Sequence, residues 1–365
     1  MRGFIAIFED VEDPRAGNAR HNLLELLFIA LAAVLCGAES CADMADFGAA
    51  KEDVLREVLR LEHGTPSHDT FSRVFRLLDP EAFEVAFASF MAAFAKSNRL
   101  KGVVAIDGKA IKGAFAKGAK ATPLHLVNVW AAEQRLALAQ RLAPGRNEVA
   151  GALEAVKLLS LKGCIATVDA LHCNRPMAQA VLDAKGQYVM ALKENQSGLF
   201  AAVERRFAIA ADQVDTFSSE VETGHGRMDQ RSAKVIADTT LAKTHDFPGI
   251  RAIARVDSMR RIEGKPDEIN TRYFLLSRPM PAGKLLHVVR THWTIENQLH
   301  WVLDVIFDED GARNRKDNGP QNIALLRKIA LNLLRSHPDK ASIRRKIKKA
   351  GWDDMFLLSI LAQMR

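Results

Sequence analysis

The sequence predicts an α/β protein with a helical N-terminal region, a core of alternating strands and helices, a β-rich insertion and a basic helical tail. Three observations carry that expectation. Apolar residues between 20 and 98 recur at helical spacing with charges interleaved. Between 101 and 200, short β-branched runs alternate with helical runs, and between about 215 and 278 strand-like pieces are separated by Gly, Asp and Arg. The expected divisions are residues 1–98, 99–335 with the insertion at about 215–278, and 336–365.

Taken in chain order, residues 23–35 are apolar except for Glu25, too short to span a bilayer, and predict a buried helix. Further helices are expected over 51–61, 67–78 and 80–96. The break Gly64-Thr65-Pro66 ends in Ser67, an N-cap residue, with Asp69 in the first turn. Two helices across a tight turn suggest a helix-turn-helix in which His68, Thr70 and Arg73 face outward to read DNA. Core packing or a subunit contact is the competing reading, because residues 1–100 hold 10 Lys and Arg against 16 Asp and Glu.

The core begins with a strand at 103–107, then a hairpin of 124–131 and 136–141 turning at Glu133-Gln134. A helix over 148–161, a strand at 164–169, a helix over 176–184 with Pro176 in its first turn and a strand at 188–192 follow. Strand pieces at 234–236, 250–256 and 272–276 fill the insertion. Residues 314–320 form a polar connection, after which Ile323, Leu326, Ile329, Ala330 and Leu333 give a helix one apolar face. Gly108 and Gly113 form neither a dinucleotide fingerprint nor a phosphate loop, so no ATP-driven step is expected.

The chemistry lies in two of these strands. Val103-Val104-Ala105-Ile106-Asp107 and Cys164-Ile165-Ala166-Thr167-Val168-Asp169 each stop on an acid. Either aspartate alone reads as a turn former or helix N-cap. Together, at neighbouring strand ends, they would repel unless a cation lay between them, and hard oxygen donors select Mg²⁺ or Mn²⁺. A third acid stands in Arg290-Thr291-His292-Trp293-Thr294-Ile295-Glu296. There Ile295, Leu299, Val302 and Ile306 predict a buried helix face, with Glu296, His300 and Asp304 on the adjacent stripe.

The ordered set AIDGK at Asp107, VDALHC at Asp169 and HWTIENQLHWVLDV at Glu296 resembles the DDE transposases of bacterial insertion sequences, nearest the branch of H-repeat-associated proteins. GTPSHDTFSRVF from Gly64 and Gly224-His225-Gly226-Arg227 share the likeness. It implies an RNase H-like catalytic core with a β-rich insertion and two divalent ions, Mg²⁺ or Mn²⁺, which cuts and joins double-stranded DNA as a homo-oligomer assembled on it. Asp107 would bridge the ions, with Asp169 and Glu296 each holding one. The sequence departs from many relatives at His292, four before Glu296, at Leu303, seven after it, and at Cys173 and Asn174. A metal-dependent nuclease or resolvase would use the same acids without joining. A domesticated DNA-binding relative would lack one of them.

Charge agrees with a nucleic-acid partner. The net charge is +7, and its positive excess lies beyond residue 100. Lys340, Arg344, Arg345, Lys346, Lys348 and Lys349 form the densest run, and Arg313, Arg315 and Lys316 a second. These are solvated faces or phosphate contacts. Arg227 and Arg231 are further phosphate candidates, His225 a weaker one, while Lys109 and His172 sit beside the acids in sequence and could assist with phosphate. Four scattered cysteines argue against disulfides and zinc, and the acidic start against a signal peptide, so a cytoplasmic, nucleoid-associated bacterial protein without membrane contact is expected.

Overall fold

Near-continuous apolar runs, the pattern of strands buried on both faces, build the centre of the protein. The computed structural model describes residues 2–15, 17, 19–97, 100–114, 123–209, 214–224 and 226–364. Its strands are β1 (Gly102–Ile111), β2 (Leu124–Ala131), β3 (Leu136–Leu142), β4 (Cys164–Val168) and β5 (Gln187–Leu192). In the insertion lie β6 (Asp215–Ser218), β7 (Glu222–Gly224), β8 (Arg227–Ala237), β9 (Ala252–Ile262) and β10 (Glu268–Leu276). They form one sheet in the order β3-β2-β1-β4-β5-β10-β9-β8-β6, with β7 beside β8. β1, β4 and β5 are parallel, joined through helices Glu148–Lys157 and Arg175–Asp183, and the other pairs are antiparallel. This is the helical region plus RNase H-like sheet that the sequence predicted. The insertion extends the central sheet, since β10 pairs directly with β5.

The N-terminal helices share the core of that sheet: one buried apolar cluster runs from Phe4 through Trp130 and Val168 to Met364. Helix Leu23–Leu35 has the predicted bounds, begins on the Asn22 side chain and buries 11 residues. At roughly 1.5–3 kcal/mol for each fully buried Leu, Ile or Phe, it is a main anchor of the region. Helix Gly319–Ser336 is buried on all sides rather than on one face, with Arg327 and Lys328 inside.

Several local expectations change. The helix expected over 51–61 closes after Glu52–Arg56, because Leu61 turns back at φ 47° to bury its side chain. Cys41–Ala50 is a helix the sequence reading passed over, although Ser40 and Asp43 spell its capping box. Helix His68–Leu77 does start at Ser67, after Gly64 at φ 71°. Yet residues 57–67 lie between it and the short helix Glu52–Arg56, so the two helices expected on either side of Gly64-Thr65-Pro66 are not joined by a tight turn. The helix expected over 148–161 ends at Lys157, and β1 does not stop at Asp107 but continues to Ile111 along β2.

A candidate carboxylate site at the sheet centre

The parallel ladder of β1 and β4 ends at the pair Ile106 and Val168. Asp107 and Asp169 are the next residues on strands that run about 4.8 Å apart. Asp169 leaves the sheet there, whereas Asp107 stays in it opposite Asn128 of β2. Glu296 arrives from above: helix Ala282–His292 passes into a π-helical turn, Ile295–His300, and then into helix Trp301–Ile306. The segment buries Ile295, Leu299 and Leu303, a spacing of four throughout, in place of the predicted Val302 and Ile306, which are half-buried. Arg335, stacked 4.6 Å over Trp130, donates to the Gln298 carbonyl inside the π turn, and the Trp130 indole donates to Thr294 at 3.0 Å. All three acids line one cleft of about 860 Å³.

Their environments differ. Burial, then the charges of Asp169 and Glu296, push the Asp107 carboxyl up to about 7. Burial also acts to raise Asp169, but the His172 imidazole, with Nδ1 2.7 Å from Oδ1, outweighs it and holds the carboxyl below its usual range. For His172, burial is outweighed by that same contact and its pKa is raised. Its side chain is fully buried and Nε2 has no hydrogen-bond partner. His292 lines the cleft with Nδ1 2.9 Å from the Thr167 hydroxyl, and burial pushes it down to about 4, so it is neutral. Burial and then Lys109 hold His300 down at about 3; its Nδ1 lies 3.9 Å from Asp107.

Among the described residues no three Asp, Glu, His or Cys side chains stand close enough to hold one ion. The carboxylates face one cleft without forming the close shared-ion cluster that the sequence reading expected. Their chemistry nonetheless suits a hard divalent cation: all donors are carboxylate oxygens, and the repulsion that raises Asp107 is what a cation relieves.

None of the predicted cations is among the residues that line the cleft. Lys109 differs from a solvent-facing lysine: its side chain is 6 % exposed and its ammonium is held by Asp304 at 2.7 Å and Glu309 at 2.9 Å. His172 is sealed under Asp169. Lys346 is buried and caps helix Gly319–Ser336 by donating to the Leu334 and His337 carbonyls, so it leaves the proposed phosphate run. Arg315 is half-buried and donates to the Gly113 carbonyl, while Lys349 pairs with Asp339. Arg313, Lys316, Lys340, Arg344, Arg345 and Lys348 are exposed. Arg227 pairs with Asp229 and Arg231 with Glu222. His68 and Arg73 are exposed, but the Thr70 hydroxyl lies 3.1 Å from that of Ser67. His225 lies outside the described residues.

Residues the sequence reading missed complete the site. Lys193 and Arg272 line the cleft. Beside it, Arg260, Arg272 and Arg290 join the already expected Arg231 in lining a groove with Trp293, over whose ring the Arg272 guanidinium sits at 5.3 Å. Asn128 was detectable as a polar residue inside an apolar strand. Glu148 was not: its carboxylate fills the space beside Gly108, where a Cβ would come within 2.3 Å of it.

Comparison with known proteins shows the family. Residues 98–333 match the family described as Transposase DDE domain, and residues 5–91 match the one described as DDE_Tnp_1-associated. Protein YncI of Escherichia coli O157:H7 is 32 % identical over 98 % of this chain and 93 % of its own length. H repeat-associated YhhI of E. coli K12 is 32 % identical over 94 % and 93 %. An uncharacterized protein of Xanthobacter autotrophicus is 38 % identical over 71 % and 89 %.

Proposed function

The chain belongs to the Transposase DDE domain family, and from that premise we propose that it binds the ends of an insertion sequence, hydrolyses a phosphodiester there and joins the freed 3′ strand to target DNA. The observation that carries this reading is the placing of Asp107 and Asp169 one residue beyond a shared parallel register, with Glu296 across the same cleft. Asp107, Asp169 and Glu296 would hold two divalent ions, Mg²⁺ or Mn²⁺, which supply an activated water and neutralise phosphate charge. His172 keeps Asp169 ionised for that task, and Thr167 fixes the ring of His292 at the cleft wall. Water attacks phosphorus and the bond to the 3′ oxygen breaks; that 3′-hydroxyl then attacks a target phosphorus in the same cleft, and the target's own bond from phosphorus to its 3′ oxygen breaks, releasing a target 3′-hydroxyl. Neither step requires a covalent protein intermediate or ATP.

Phosphate contacts are assigned to Lys193, Arg272 and the arginine-lined groove, then to exposed Arg313, Lys316, Arg344, Arg345 and Lys348, with the protein assembling as a homo-oligomer on DNA. No helix among the described residues is long and apolar enough to cross a membrane. Neutralising Arg344, Arg345 and Lys348 together should weaken binding to end and unrelated DNA by similar factors. Measured by filter binding, the slope of log affinity against log salt should fall by about 0.9 for each lost contact. An unchanged slope would return that helix to a solvated face.

The function is tested with duplex DNA carrying an element end, target plasmid and Mg²⁺. Joined product is expected. Cleavage without joining would favour a nuclease, and binding without cleavage a DNA-binding relative that has lost catalysis.

A further inference from the structure

On β1, Asp107 and Lys109 point to the same face, about 6.8 Å apart along the strand. On the segment above, His300 and Asp304 are four residues apart, about 6 Å in an α-helix, and Glu296 precedes them within the π turn. The two repeats are nearly commensurate, and the contacts follow them: His300 lies over Asp107, Nδ1 to Oδ2 3.9 Å, and Lys109 meets Asp304 at 2.7 Å.

We propose that Lys109 is a positioning residue that, by clamping Asp304 and Glu309, locks the Glu296 segment in register with β1 and thereby sets the span between Glu296 and Asp107. This rests on the reading of the three acids as the metal-holding site.

The clamp is built as a fixed point rather than a surface ion pair. Glu309 is fully buried, with Lys109 2.9 Å from one oxygen and Lys328 3.7 Å from the other. Lys328, itself fully buried, donates to Gln140 of β3 at 2.7 Å, and Gln140 donates to buried Glu84 at 3.0 Å. The anchor of the Glu296 segment thus reaches β3 and helix Pro80–Ser97 through a chain of charges that cannot shift singly without stranding a buried ion. Midway, the Asn128 amide lies 3.3 Å from His300 Nε2. A one-turn slip of the segment would break both contacts at once.

The test is Mn²⁺ binding to the full-length protein, followed by electron paramagnetic resonance, for the wild type, Lys109→Met, Asp304→Asn and the double variant. Asp304 is 33 % exposed, so its variant keeps the fold even where loss of the buried ammonium does not. Each single variant should bind Mn²⁺ roughly 10- to 100-fold more weakly, the scale for residues that orient metal ligands. The double variant should be no worse than the weaker single one, and melting curves report the fold separately. Wild-type Mn²⁺ affinity in folded Asp304→Asn would overturn the clamp while leaving the site intact. No Mn²⁺ binding by the wild type would overturn the carboxylate site and the clamp with it. A lower salt slope for DNA with unchanged Mn²⁺ affinity in Lys109→Met would return Lys109 to phosphate contact.

Discussion

Alanine in place of Asp107, Asp169 or Glu296 should abolish metal-dependent cleavage and joining of element-end DNA while leaving its retention on a gel nearly unchanged. The two properties separate because affinity for DNA comes mainly from cations that neutralise phosphates, and none of the three acids is one of them. The acids would act as a unit, since an ion held by two carboxylates is lost with either. Each single change should therefore cost about as much as all three together, on the order of 10³-fold or more in rate. A strand-transfer assay run beside a gel shift reads both quantities. Normal joining by Asp107→Ala protein would refute the site, and parallel loss of binding and joining would show that the carboxylates support the fold instead.

The acids were legible in the sequence because each follows or closes a run that has to be buried, and burial fixes direction. Val103 to Ile106 and Ile165 to Val168 have no polar residue to present except Thr167, so the first charge after each must come out at the ladder's end. What was not legible is where cations go. Lys109 and Lys346 look like surface charges in a one-dimensional string, yet one is clamped between carboxylates that lie about 200 residues further on and the other closes a helix end. The partners of Lys109 are too distant in sequence to leave a local periodicity, and those of Lys346 lie on the far side of a helix end rather than at helical spacing. The π turn was hidden for a related reason. Apolar residues at 295, 299 and 303 fit an α-helix nearly as well as the wider turn, and the contacts made there by Arg335 and Trp130 are brought in only by the fold. The insertion was recognisable as β-structure, but its strands gave no sign of which sheet edge they would join.

The second large effect concerns the metal-free protein. With its pKa raised to about 7 against 3.8 for an ordinary aspartate, Asp107 holds a proton more tightly in the native state than in the unfolded chain. Its contribution to stability is therefore fully present below about pH 3.8 and is lost as pH rises through about 7. At 1.36 kcal/mol per unit, the difference between the ends of that window is on the order of 4 kcal/mol. The side chain is only 20 % exposed, so solvent screens little of it. His172, whose pKa is also raised, works in the same direction as pH rises above its ordinary value, and the buried neutral His292 works in the opposite one, so the raw melting profile mixes several groups. Comparison with Asp107→Asn isolates the carboxylate. Without divalent metal, the variant should already melt somewhat above the wild type at pH 5, by about 1.6 kcal/mol of stability, and become progressively more stable than it toward pH 8. Mg²⁺ should then raise the wild-type melting temperature at pH 8 while leaving Asp107→Asn almost unmoved, because the cation relieves a repulsion the variant no longer has. Calorimetry at three pH values, with and without Mg²⁺, checks both halves. A gap between the two proteins that stays constant from pH 5 to 8 would mean that Asp107 is ionised throughout and that Asp169 and Glu296 do not crowd it.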